Sequence, residues 1–267
     1  MAFDKNSNSF TFIFATVMVV VVGTLLAVTF LALKPAYDEN IRREKMQNIL
    51  ASVKVKVDRD AAPAKYDELV KETLVVDANG APTDGDAFSL DVLKQYKDWK
   101  AGVGKAEDMK FPVYKANTEG KELFVLPMVG TGLWGPVWGY VSVESDGRTI
   151  YGNTFDHKGE TPGLGAEIST PMFIDQFPGK TITEEDGSYT GIKVYKGGSG
   201  TTDPHGVDGI SGGTITSDGV NEMLMRTLAI YDKYLKSVVA PPAPPVVEAM
   251  PSDSLASDST STSLVNP

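Results

Sequence analysis

The chain has 267 residues, 42% of them hydrophobic, enough for one medium domain or two small ones. A net charge of −10 at neutral pH argues against nucleic acid or an anionic membrane surface as an electrostatic partner. The absence of cysteine excludes disulfides, thiolate catalysis and cysteine-held clusters, and with only two histidines, His157 and His205, no metal site is expected.

From Phe10 to Leu33 run 24 residues without a charge. As a helix they would span about 36 Å, enough to cross a hydrocarbon core of about 30 Å with some tilt. The run is longer than the usual core of a signal peptide, and no strong small-x-small cleavage site stands before Lys34. A retained single transmembrane helix is therefore expected at 10–33, after a short segment 1–9. Lys34, Arg42, Arg43 and Lys45 outnumber the positive groups before the span, so a positive-inside count alone would leave the rest of the chain in the cytoplasm.

Residues 36–53 are compatible with a helix whose apolar stripe is Ile41, Met46, Ile49 and Leu50. A second helix is expected from Tyr66 to Leu74, and a third at 89–100 with Ser89 as N-cap. "KELFVLPMVG", "PVWGYVSVE", "GRTIYGNTF" and "TGIKVYKGG" then read as antiparallel strands of one curved sheet, being short, β-branched or aromatic and punctuated by glycine. Thr170-Pro171 opens a short helix. The strongest helical pattern follows, with Val220, Met223, Leu224, Thr227, Leu228, Ile230, Tyr231, Tyr234 and Leu235 on one face and Ser217 as N-cap. Residues 238–267 are rich in Pro and Ser and read as a disordered tail, leaving 34–237 as the folded domain.

Between strands and final helix stands "DGISGGTITSDG", residues 208–219. Its residues alone leave three readings open. "GISGG" fits G-x-S-x-G, which would make Ser211 a nucleophile with His157 as base. The P-loop pattern fails for want of a lysine, yet Gly212 and Gly213 before a long helix favour an anion, such as a phosphate attached to Thr214, Thr216 or Ser217. The third reading is a plain turn ending at a helix cap.

"DGISGGT" resembles the flavinylation motif of the FMN-binding domain family, D-x-[ST]-G-A-T. With "GTGLWGPVWGY" at 130–140, "DHKGETPGLGAEI" at 156–168 and "SGGTITSDGV" at 211–220, the chain is similar within it to the C subunits of sodium-translocating NADH:quinone reductases. The resemblance implies an α+β fold, with one N-terminal transmembrane helix and a curved antiparallel sheet with flanking helices. It implies FMN joined covalently by a phosphodiester to Thr214, with Asp208, Ser211, Gly212 and Gly213 as motif partners. Gly213 stands where the family usually has Ala. Glu160, Thr161, Leu164 and Gly165 become candidates for contacts to the ring or ribityl chain, and Trp134 for lining the flavin or a docking surface. His157 is expected to be a neighbour of the site rather than a proton donor, and His205 a loop residue. The implied partners are a flavin transferase and the other membrane subunits of the reductase, with the soluble domain outside the cytoplasmic membrane, against the charge count. The homologous flavin subunit of the ferredoxin-linked electron-transport complex shares the attachment motif.

Overall fold

In the computed structural model, which describes residues 7–239, one α-helix, α1 (Asn8–Ser52), runs through both the uncharged stretch and the predicted helix after it. Its 45 residues amount to about 68 Å of helix. Pro35 lies inside it, where the missing N–H costs one backbone bond just past the apolar run. Among the described residues, the apolar half is not packed into the domain: its window of highest hydropathy is 0% buried. Only the last turns enter the domain, where Met46, Ile49 and Leu50 are buried while Ile41, expected in the same stripe, is exposed.

The second predicted helix ends early. α2 (Ala62–Leu69) gives way to a strand, β1 (Val70–Val76), which pairs with the short β2 (Pro82–Thr83) and with β3 (Phe111–Thr118). α3 (Val92–Lys100) starts later than expected and is capped by Asp91, whose carboxylate accepts the Lys94 N–H; Ser89 donates to Asp86 instead. β4 (Lys121–Thr131), β5 (Pro136–Glu144) and β6 (Ile150–His157) continue as predicted, giving one antiparallel sheet in the order β2-β1-β3-β4-β5-β6. The expected fourth strand of that series does not join it. β7 (Lys193–Tyr195) pairs in parallel with β8 (Gly206–Asp208) as a separate ribbon. Between lies α4 (Pro171–Ile174), and last comes α5 (Thr214–Val238). Residues 240–267, most of the predicted tail, lie outside the described residues.

The sheet is buried on both faces, which is why β4 reads as an unbroken apolar run rather than an alternation. Phe124, Leu126 and Met128 face a core completed by Val220, Leu224, Leu228 and Tyr231 of α5. Leu123 and Val125 point to the opposite core, built from α1, α2 and Tyr114. Pairing between β3 and β4 stops at Tyr114↔Val125. Beyond it stand Pro112 and Pro127, neither able to donate to a ladder. The fully buried Tyr231 hydroxyl sits 2.9 Å from each of their carbonyl oxygens and bridges the gap.

α1 docks along β5 and β6. The Asn48 carbonyl accepts from the Thr154 hydroxyl at 3.4 Å, and the Ser52 carbonyl from the Ser142 hydroxyl at 2.6 Å. An ideal Cβ on Gly152 would sit 2.4 Å from that same Ser52 oxygen. Because Asn48 lies at Thr154 and Ser52 at Gly152, α1 runs antiparallel to β6. Its apolar half therefore extends toward the end of the sheet where β5 begins and β6 finishes.

Two tests follow from this packing. Tyr231→Phe should lower stability by about 1–3 kcal/mol with the fold intact, because it strips a buried donor from two carbonyls; chemical denaturation in detergent reads it. Lys45 donates to the Phe88 carbonyl at 2.5 Å, and burial pushes its ammonium down to about 8. From pH 8 to 10 the unfolded chain binds more protons at Lys45 than the folded one, so stability must rise with pH there. Denaturation across that window should show wild type gaining on Lys45→Met.

Candidate functional site

Three segments converge at the end of the sheet toward which α1 points: the β4–β5 turn, the loop after β6, and the start of α5. The turn is closed by the Gly132 N–H donating to Gly135 O at 2.7 Å, which turns Leu133 and Trp134 outward, 50% and 68% exposed. The loop after β6 turns at Gly163, whose φ of 76° favours glycine, and continues into a 3-10 turn at Gly165–Ser169. α5 begins where Gly212, at φ 74°, reverses the chain.

Helix α5 starts earlier than its sequence pattern indicated. Its N-cap is Gly213, and no side chain caps it. Ser217, the expected cap, is buried in the first turn, where its Oγ accepts the Ile210 N–H at 2.9 Å. The first N–H groups of a 25-residue helix thus lack both an intrahelical acceptor and a side-chain cap, beside the exposed Thr214. Such an end, carrying the positive pole of the helix, attracts anions.

Glu160 joins the three segments. Its side chain is buried, and one carboxylate oxygen accepts the Trp134 backbone N–H at 2.8 Å while the other accepts the Thr216 hydroxyl at 2.6 Å. The Trp134 indole N–H donates to the Thr161 hydroxyl at 3.2 Å. Glu160's own N–H donates to His157 Nδ1 at 3.1 Å, so His157 supports the loop from below.

Between these groups lies a cleft of about 200 Å³. Of the predicted residues, Glu160, Thr161, Leu164, Gly165, Gly212, Gly213, Thr214 and Thr216 line it. Leu133 and Ile215 line it too and escaped sequence reasoning, although each is a large apolar residue beside a predicted one. Asp208 does not reach the cleft. Its carboxylate accepts the Gly200 N–H at 2.6 Å, and its backbone exchanges hydrogen bonds with the Gln176 amide, so it anchors the preceding loop. His205 sits in a turn but is buried, with Nε2 3.2 Å from the Glu184 carboxylate.

A short strand, β8, precedes the glycine turn, where composition alone indicates none. Ser211 nevertheless has no hydrogen bond to His157 among the described residues, and His157 Nδ1 is occupied by a backbone N–H. The geometry supplies no base for a nucleophilic serine. It does suit FMN: an uncapped helix end for a phosphate, and apolar Leu133, Leu164 and Ile215 around a cleft for a flat ring.

Residues 132–229 match the family model of the FMN-binding domain, a span that contains all three segments of the cleft. Over 211 residues the chain is 33% identical to the C subunit of the Na(+)-translocating NADH-quinone reductase of Vibrio alginolyticus, covering 75% of this chain and 82% of that protein. Identity to its counterpart in Neisseria meningitidis serogroup B is 33% over 232 residues, 82% and 88% of the two chains. The crystal structure of the counterpart from Parabacteroides distasonis matches with a TM-score of 0.68 at 45% identity, covering 76% of this chain and 97% of that one. The chain belongs to the family of Na(+)-translocating NADH-quinone reductase C subunits.

Truncation of the joining carboxylate is the direct test of the site's architecture. Glu160→Ala leaves the Trp134 N–H and the Thr216 hydroxyl without acceptors and should destabilise the flavin-free protein by about 1–3 kcal/mol in chemical denaturation.

Proposed function

We propose that this protein is the flavin-carrying, electron-transferring C subunit of a sodium-translocating NADH-quinone reductase, with FMN attached to Thr214 through a phosphodiester. The observation that carries the assignment is the state of four neighbouring hydroxyls. Thr216 is committed to Glu160, and Ser217 is buried against Ile210. Ser211 and Thr214 are exposed, and of these only Thr214 stands on the helix, at its first residue. A phosphate on Thr214 would meet the free N–H groups and the positive helix pole.

FMN, when bound, supplies the redox chemistry, and the chain's own residues hold and tune it. The α5 terminus neutralises the phosphate. Leu133, Leu164 and Ile215 offer an apolar lining, and the Trp134 indole is fixed by Thr161. The cleft, about 200 Å³, is smaller than the roughly 300–1,000 Å³ of pockets that engulf a ligand of this size. A flavin here would stay partly open, so a covalent link, rather than enclosure, would prevent its loss.

Attachment falls to a separate flavin transferase. The Thr214 hydroxyl attacks the FMN-side phosphorus of FAD, forming the phosphodiester and releasing AMP, while the hydroxyl proton passes to the transferase or solvent. The apolar part of α1 anchors the domain in the inner membrane among the other subunits of the reductase. The domain stands on the extracytoplasmic side, where the assembled complex overrides the flanking lysines and arginines.

Denaturing electrophoresis of the chain co-expressed with its flavin transferase should give a flavin-fluorescent band for wild type and Ser211→Ala and a dark one for Thr214→Val. A dark wild-type band, with the transferase active on another acceptor, removes the assignment. For sidedness, protease added to spheroplasts should cut the domain; cutting only after lysis would place it in the cytoplasm.

A further inference from the structure

Glu160 entered as a candidate flavin contact, yet both its oxygens are already engaged by protein donors, Trp134 N–H and the Thr216 hydroxyl. It is 4% exposed. The space it fills is kept for a carboxylate: a Cβ on Gly132 would come 2.6 Å from one oxygen, and a Cβ on Gly165 would come 2.5 Å from the other. Among the described residues, Glu160 has no ion-pair partner, while the carboxylates that form ion pairs elsewhere sit against Lys, Arg or His. Among the described residues its two oxygens meet two hydrogen-bond donors, one of them in the first turn of α5, near the positive helix pole. A buried carboxylate without a counter-cation is a costly arrangement, and this one stands in the wall of the cleft, bonded to Thr216, two residues along α5 from Thr214.

We propose that Glu160 is a positioning residue with an electrostatic role: it clamps the Trp134 turn to the first turn of α5, and its negative charge sets the flavin potential low. An electron entering the flavin without a proton adds one negative charge, and the fixed carboxylate opposes it. The inference rests on the flavin-bearing reading of the cleft. It goes further by assigning a residue that touches protein groups rather than the cofactor's phosphate.

Two isosteric changes separate charge from scaffolding. Glu160→Gln keeps an acceptor for Trp134 N–H and can donate its amide to the Thr216 hydroxyl, so the clamp survives while the charge goes. Thr216→Val keeps the charge but removes one of the donors that stabilise it. The full-length chain, co-expressed with the transferase, is titrated at pH 8 with dithionite and redox mediators, following the flavin absorbance. Glu160→Gln should move the midpoint potential positive by at least tenfold in the reduction equilibrium, about 30 mV for a two-electron couple. Thr216→Val should move it negative. Opposite shifts are the signature of charge, which a merely structural clamp would not give. An unshifted potential in Glu160→Gln, or shifts of the same sign in both, overturns the proposal. Should Glu160→Gln carry no flavin, Thr216→Val decides alone: a negative shift supports it, and no shift or a positive one overturns it. A dark wild-type band would instead count against the flavin reading itself.

Discussion

Everything at the site depends on how closely one helix is allowed to approach one strand. A Cβ on Gly219 would fall 1.9 Å from the Thr131 carbonyl oxygen, and a Cβ on Gly130 2.8 Å from Met223. Two glycines, one on each element, let the backbone of α5 rest on the last residues of β4. That contact brings the uncapped helix end beside the β4–β5 turn, so that the Glu160 carboxylate can reach both. Any side chain at position 219 would lift the helix start away from the turn and open the cleft from behind.

Farther along, α5 is held by a different device. The Tyr231 hydroxyl replaces the ladder bonds that Pro112 and Pro127 cannot make, tying the helix across the seam where β3 and β4 part. The helix is thus fixed by backbone proximity at one end and by a buried hydrogen bond at the other. Rigid support of this kind suits a site whose working parts are loops and a helix terminus, since loops alone are imprecise.

The parts legible in the sequence were those where one physical signal dominated. The uncharged run, strands β4 to β6 and the buried face of α5 were all read from hydrophobic pattern. β1 was missed because "VKETLVV" carries Lys71 and Glu72, good helix formers, directly after a true helix; pairing with β3 decides its conformation. β7 has the composition of a sheet strand, but its partner is β8, a contact of long range that composition cannot reveal. At the site, the glycine and threonine motif located the cleft, while side-chain direction stayed hidden. Ser217 looks like a cap and Asp208 like a site residue, yet both hydroxyl and carboxylate turn to backbone N–H groups elsewhere. The convergence of Trp134, Glu160 and Thr216 joins residues up to 82 positions apart, and no local pattern encodes it.

The unbroken helix α1 has a mechanical consequence. Twelve residues, 34–45, lie between the apolar run and Met46, the first buried residue of α1. As a flexible chain they would be a leash whose ends wander over some 20 Å. As helix they form a post of about 18 Å, and height and azimuth become coupled at about 100° per residue. Adding one residue to the post would swing the cleft about a quarter-turn around the membrane normal while raising it by only about 1.5 Å. The length of this segment is thereby a setting for direction far more than for distance, and a neighbouring subunit would meet the cleft on one bearing.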